Sequence, residues 1–404
     1  MATVSRRNML KGTAAALPLV ATGSAIARPS RNKKYLILSC DGGGIRGLLT
    51  ARIIERLQKE VPAFLDRVEL FAGTSTGGII ALCLANKVSP TDLVSLYEEN
   101  GIKIFPPRAK PWELPDFKGL DRFKSVTEKM NEFRKSVQPK DVSHPRYENH
   151  GLKAVLIDKL GNRTFDKLER KKPALVTTLR LCSEDENKIK SWAPLVLHNL
   201  GHQAATQESK LEDGPTPWIK LVDAALATSA APLYFPPYDC DRFGYCVDGG
   251  LFANCPASIA LSLWLRVHPG TFDDIRILSI GTGNQPSAID LKDKDSWLFS
   301  DPSDYGALAW LNPFPRGAGE KDKDKLTPSF PLISALLDAS SASHNYICKQ
   351  AMGDNYCRVQ VTLPKPIALD DTSPESLEIL KNTADSIPAD SWQKITDWLQ
   401  KSVG

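Results

Sequence analysis

Two strand, glycine-turn, helix units stand in series near the start of this chain, and that order restricts its fold more than any other feature. In the first, Tyr35-Leu36-Ile37-Leu38-Ser39-Cys40 reads as a short buried strand and Asp41-Gly42-Gly43-Gly44-Ile45-Arg46-Gly47 as a glycine-rich turn. Leu48 to Gln58 follows as an amphipathic helix with apolar Leu48, Leu49, Ile53, Ile54 and Leu57. In the second, the apolar run Val68 to Ala72 passes through Gly73-Thr74-Ser75-Thr76-Gly77 into the apolar segment Gly78 to Ala85. A lone serine in a strained strand-to-helix turn, with glycines removing the side chains that would clash, is how a hydrolase presents a nucleophile. Alone, G-x-S-x-G fits equally a tight turn with an N-capping serine.

The first turn adds weight to the hydrolase reading. Gly42, Gly43 and Gly44 leave backbone N–H groups bare at a helix N-terminus, which suits them to hold a developing negative charge. Beside a nucleophilic serine, such a loop is an oxyanion hole. The same residues also satisfy G-x-G-x-x-G at Gly42, Gly44 and Gly47, the dinucleotide fingerprint. Against that rival, Asp41 would put a repelling carboxylate at the mouth of a pyrophosphate site. The acid that fingerprint expects at the end of the next strand is missing, since Glu69 lies near the strand's start. No G-K-[ST] follows, which excludes a nucleotide P-loop on spacing.

A third constellation lies far downstream. Asp223 to Ala231 reads as a small-residue helix stopped by Pro232, followed by the extended apolar Leu233-Tyr234-Phe235-Pro236-Pro237. Gly244-Tyr245-Cys246-Val247 reads as a strand ending in Asp248-Gly249-Gly250, with a further helix from Ala257 to Arg266. An aspartate at a strand end projects its carboxylate into the cleft the strand ends define. By itself D-G-G is also an Asx-type turn.

Together, Asp41 to Gly47, Gly73 to Gly77, Ala227-Thr228-Ser229-Ala230-Ala231-Pro232 with Tyr234-Phe235, and Asp248-Gly249-Gly250 resemble the patatin-like phospholipases in order and spacing. The resemblance runs from Tyr35 to about Leu265, and more loosely over Ile275 to Ile280 with Gly281-Thr282-Gly283. It implies an α/β protein with a three-layer α/β/α fold, a central, mostly parallel sheet and a nucleophile elbow. The activity implied is that of an acyl hydrolase with a Ser-Asp dyad, Ser75 as nucleophile and Asp248 as the base that takes its proton. The amides around Gly42, Gly43 and Gly44 would form the oxyanion hole, with Arg46 as a cationic neighbour and Gly47, Gly73, Gly77, Gly249 and Gly250 supporting the turns. Ser75 then attacks an ester carbonyl, and water activated by Asp248 releases the fatty acid from the acyl-enzyme. That chemistry needs no metal and no cofactor.

An aspartate with a pKa of about 4 is a poor base for a serine hydroxyl, and most serine hydrolases interpose a histidine. Of His144, His150, His198, His202, His268 and His344, only His268 and His344 follow Asp248, as a Ser, Asp, His chain order requires. His344 reads as a partly exposed helical residue. A dyad therefore demands that burial raise the basicity of Asp248 and that the oxyanion hole carry much of the rate.

Ser5-Arg6-Arg7-Asn8-Met9-Leu10-Lys11, the alanine-rich stretch Gly12 to Ile26 and the A-x-A pattern Ala25-Ile26-Ala27 read as a twin-arginine export signal, residues 1–27, with Met9 where an aromatic is commoner. Pro18, Gly12 and Gly23 interrupt a stretch too short for a transmembrane helix. Losing Arg6, Arg7 and Lys11 takes the formal net charge from +4 to +1, a balance that speaks against nucleic acid as a partner. Lys33-Lys34 and Arg170-Lys171-Lys172 read as solvated clusters.

Residues 28–404 read as one soluble catalytic unit in the periplasm or outside the cell, soluble or resting peripherally on a membrane. Its motif-bearing core is 35–265, with insertions at 105–147 and 285–327 and a helical part at 330–404. The tail is predicted to pack two amphipathic helices on the sheet, through Leu377, Leu380 and Ala384, and through Trp392, Ile395, Trp398 and Leu399. The 8 cysteines make no metal signature, Cys40 and Cys83 read as buried thiols, and a bridge from Cys240 to Cys246 or Cys255 is open. The expected substrate is a phospholipid or galactolipid ester at a lipid or membrane surface. Intact Ser75 and Asp248 speak against a catalytically silent lipid-binding protein on the same fold, which needs neither.

Overall fold

A computed structural model describes residues 33–106, 144–184, 188–201, 214–285, 310 and 331–404. The chain divides after Lys33, and the sheet and helices belong to the second unit, Lys34–Gly404. Among the described residues one sheet holds β1 (Tyr35–Cys40), β2 (Val68–Thr74), β3 (Ala174–Glu184), β4 (Lys190–His198), β5 (Tyr238–Asp239), β6 (Tyr245–Asp248), β7 (Ile275–Ile280) and β8 (Tyr356–Val359). β1 is central, parallel to β2 on one side and to β7 on the other. β3 extends the parallel run beyond β2 and β8 extends it beyond β7, whereas β4, β5 and β6 are antiparallel additions.

Successive residues of a strand face opposite sides, so a strand apolar at every position has to be covered twice. From β1, Leu36, Leu38 and Cys40 enter one core while Ile37 enters the other; from β7, Leu278 and Ile280 enter the first while Ile275 and Ile277 enter the second. The first core is closed by α1 (Gly47–Glu60), α3 (Thr76–Ala85), α4 (Pro90–Ile104), α5 (Asn149–Leu160) and α6 (Leu221–Thr228), with the one-turn α2 (Phe64–Arg67) between α1 and β2. The second is closed by α8 (Ala257–Val267) and α9 (Pro331–Met352), and the short α7 (Gly250–Ala253) links β6 to α8. Two helical layers on a mostly parallel sheet make the α/β/α sandwich expected.

Local signals set the helix ends. Ser89 caps α4 by accepting the Asp92 N–H at 3.1 Å, with Pro90 in the first turn, where a missing N–H costs nothing. Of the C-terminal helices, α10 (Pro374–Asp385) is capped likewise by Ser373, and α11 (Ala389–Val403) follows. The tail departs from expectation in one respect. α10 packs chiefly on α1, where Arg52 grips Asp385 with two N–H bonds of 2.9 and 3.0 Å; α11 meets β1 and β8. Lys172 also differs from the solvated cation expected: half-buried, its ammonium bonds the carbonyls of Leu65, Asp66 and Val68 at 2.7–3.2 Å and closes the end of α2.

The eight cysteines are all free thiols, Cys40 and Cys83 buried as expected, and no bridge joins Cys240 to Cys246 or Cys255. Both proposed insertions, 105–147 and 285–327, fall largely outside the described residues, and the expected 1–27 signal falls wholly outside them. No helix among the described residues is long and apolar enough to cross a membrane.

Candidate active site

The site is created by an unusual sharing of one strand edge. β4 occupies one edge of β3 from Leu175↔His198 to Glu184↔Lys190. The other edge takes β2 along its first half, Phe71↔Ala174 to Thr74↔Thr177, and β6 along its second, Thr178↔Asp248 to Arg180↔Cys246. β2 runs parallel to β3 and β6 antiparallel. Their C-terminal ends therefore point at each other across the adjacent positions Thr177 and Thr178, bringing Ser75 and Asp248 together.

Ser75 sits at φ 54°, ψ −125°, a left-handed conformation costly for a residue with a Cβ. The turn closes because Gly73 and Gly77 are bare. A Cβ on Gly73 would stand 2.0 Å from the Gly77 carbonyl oxygen, and one on Gly77 would stand 2.1 Å from that of Cys40. Buried threonines hold the strained residue. The Ser75 N–H donates to Thr228 Oγ1 at 2.9 Å, and that hydroxyl donates to Thr177 O at 2.6 Å. Thr74 Oγ1 donates to Ala253 O at 2.6 Å and lies 2.7 Å from Thr177 Oγ1, while Thr178 Oγ1 lies 2.7 Å from Val247 O. Both meeting strand ends are thus tied to β3 by side chains as well as by the ladder.

Asp248 is 4% exposed. Its N–H donates to Ala230 O at 3.0 Å, and its Oδ1 accepts the Gly250 N–H at 2.7 Å. Burial raises the carboxyl pKa from 3.8 to about 6, against hydrogen bonds from the Ser75 hydroxyl and the Gly250 amide that hold it down. Gly249 lies flush against Thr177 and Gly250 against Leu337 and Asn254, leaving no room for side chains.

The glycine loop lies across from this pair. A Cβ on Gly42 would stand 3.2 Å from Ser75 Cβ. The Gly42 N–H, however, donates to Asn254 O at 3.0 Å, so this amide is already engaged. Among the described residues the Gly43 and Gly44 amides donate to nothing, and both glycines line the cleft with Ser75. Gly44 takes φ 58° against the Leu369 carbonyl. Gly47 opens α1 against Thr76 and Tyr97. Arg46, 8% exposed, folds back so that its Nε donates to Gly43 O at 3.3 Å. Burial lowers its pKa, and Asp338 on α9 opposes that.

The cleft measures about 760 Å³, counting the part open to solvent, and Ser75 and Asp248 are among the few polar groups on its wall. Ile79, Ile104, Phe105, Leu152, Phe235 and Leu337 supply much of the rest. Among the described residues no histidine lines it. His344 instead binds Ser258 Oγ through Nδ1 at 2.5 Å and Phe252 O through Nε2 at 2.7 Å, tying α9 to α7 and α8. His268 packs against Trp264 and Tyr35 in the second core. A hydroxyl poised beside a carboxyl of raised basicity, with free amides and an apolar cleft around them, can transfer an acyl group.

Thr177 and Thr178 escaped the sequence reading, and Thr74 and Asn254 stood beside the expected site residues with no role assigned to them. Thr228 and Asp41 stood within the quoted motifs, but their structural roles were not visible. The Asp41 carboxylate is held by Arg358 of β8, with bonds of 2.9 and 2.6 Å.

The model of the family described as Patatin-like phospholipase matches residues 38–261, and the chain belongs to that family. Among characterised relatives, it is 29% identical over 378 residues to a cGAMP-activated phospholipase of Vibrio cholerae, covering 89% of this chain and 91% of that one. A cGAMP-activated phospholipase of Escherichia coli is 31% identical over 273 residues, 64% of each chain. Patatin-like protein 2 of Arabidopsis thaliana is 26% identical, over 90% of this chain and 85% of its own.

Proposed function

We propose that the protein is a serine acyl hydrolase that cleaves carboxylic ester bonds of lipids by a Ser75–Asp248 dyad. The observation that carries this reading is the meeting of a strained, hydrogen-bonded serine with a buried carboxyl of pKa about 6 in an apolar cleft. Asp248 takes the hydroxyl proton as Ser75 Oγ bonds to the ester carbonyl carbon, and the Gly43 and Gly44 amides receive the oxyanion. With the Gly42 amide engaged by Asn254, the hole has two donors from this loop rather than three. Collapse expels the alcohol, which leaves with the proton from Asp248. A water that gives its proton to Asp248 attacks the acyl-enzyme, and the fatty acid is released as Ser75 is reprotonated.

The N-terminal segment is read as a twin-arginine export signal, giving a mature protein that begins near Arg28 and meets lipid in the periplasm or outside the cell. N-terminal sequencing of exported protein tests this, and an intact Met1 would overturn it.

The activity is tested by fluorophosphonate labelling with peptide mapping, beside p-nitrophenyl acyl ester hydrolysis by wild type, Ser75→Ala and Asp248→Asn. Since three relatives are named for activation by cGAMP, each assay is run with and without it. A single adduct on Ser75 with turnover lost in both variants supports the dyad. Folded wild type with neither adduct nor turnover in either condition overturns it in favour of a silent lipid-binding protein.

A further inference from the structure

Asp41 opens the glycine loop and carries a negative charge into a place where the proposed reaction would build another. Only 3% of its side chain is exposed, and its N–H continues the sheet by donating to Ile280 O at 3.0 Å. Arg358 takes both carboxylate oxygens, Nη1 to Oδ1 at 2.9 Å and Nη2 to Oδ2 at 2.6 Å, a fork-on-fork pair that fixes direction as well as charge. Ser341 of α9 donates its hydroxyl to Oδ2 at 2.8 Å. The guanidinium crosses β7 at Ser279, the residue paired with Arg358, and Nη1 bonds that hydroxyl at 2.7 Å. A larger residue at 279 would bar the way. Burial works against the guanidinium's charge, but the neighbouring carboxylate more than compensates, and its pKa lies above the ordinary value.

These contacts reach the loop from outside the segment that defines the family, since residues 38–261 contain neither α9 nor β8. A surface ion pair is worth little, but a buried one broken on one side leaves an uncompensated charge. Here that charge would stand at the head of the loop, two and three residues before the two free amides.

We infer that Arg358 and Ser341 are positioning residues for ester hydrolysis: they lock Asp41, hold the Gly43 and Gly44 amides beside Ser75, and neutralise the carboxylate at the head of the loop. The inference rests on the hydrolase reading above. In it neither residue touches substrate. Both act through Asp41.

The test measures kcat, KM and fluorophosphonate labelling rate on the full chain for Arg358→Gln, Arg358→Lys, Ser341→Ala and Asp41→Asn/Arg358→Gln. Arg52→Gln, which breaks the fork to Asp385 on the far side of α1, controls for lost stability. Arg358→Gln should lose roughly 10²-fold in kcat and in labelling rate with KM within about threefold, as for a misplaced catalytic group. Arg358→Lys should fall between, Ser341→Ala should lose about threefold, and the neutral double variant should recover at least about tenfold over Arg358→Gln. If Arg358→Gln does not fold, Arg358→Lys and Ser341→Ala decide by the same split between kcat and KM. Folded variants with wild-type kcat, or losses matched by Arg52→Gln at equal loss of melting temperature, overturn the inference while leaving the hydrolase reading standing. A wild type with neither turnover nor adduct overturns both.

Discussion

Replacing Asp248 by asparagine should make the protein more stable at neutral pH while abolishing turnover. The carboxyl's pKa rises from 3.8 to about 6 on folding, because burial disfavours its charged form more than the Ser75 and Gly250 hydrogen bonds favour it. A native pKa above the unfolded one means that the folded state binds the proton more tightly. The stabilisation this brings is complete below pH of about 3.8 and is lost as pH rises through about 6. At pH 7.5 the ionised group therefore costs the native state about 3 kcal/mol. Asparagine keeps an acceptor for the Gly250 N–H and brings no charge. Equilibrium urea unfolding at pH 7.5 should show Asp248→Asn more stable by up to about 3 kcal/mol, with the difference vanishing near pH 4. A variant no more stable than wild type at pH 7.5, or a gain independent of pH, would refute the reasoning. The result would mark a site that keeps a destabilising charge for its chemistry.

Three further outcomes follow from the same geometry. The pH–rate profile for ester hydrolysis should have an acid limb centred on about pH 6, falling tenfold per pH unit below it; a flat profile down to pH 4.5 would exclude Asp248 as the base. Thr228→Val removes the acceptor for the Ser75 N–H and should lower kcat at least about tenfold and cost about 1–3 kcal/mol, read by kinetics and urea unfolding. Thiol titration in denaturant without reductant should count 8 free cysteines; six would mean that one pair had joined, to be identified by peptide mapping.

What the sequence disclosed is what lies close together along it. The β1 turn and the Ser75 elbow are each encoded within a few residues, by an apolar run, bare glycines and a helix start, and both took the expected form. Asp248 stood out through its strand end and two glycines. Its partnership with Ser75 depends on register along β3, and β3 itself carries no motif that announces which strands share its edge. The threonines beneath the site are unremarkable in sequence because their hydroxyls gain meaning only when Thr74, Thr177 and Thr228 meet. Arg358 is a lone cation on a late strand, and nothing local marks its reach across Ser279. The engaged Gly42 amide was hidden for a similar reason, since its acceptor, Asn254, comes from the loop beyond Asp248.

Because β2 and β6 share one edge of β3, Ser75 and Asp248 are delivered by different stages of synthesis. The close Gly73 and Gly77 contacts of the Ser75 elbow come from early segments, while its Thr228 partner and then Asp248 arrive only after β3, whose far half waits for a strand made much later. A copy that stops before β6 holds Ser75 without Asp248. On the hydrolase reading, a growing chain would be inert towards the membranes of the cell producing it until β6 has paired with β3.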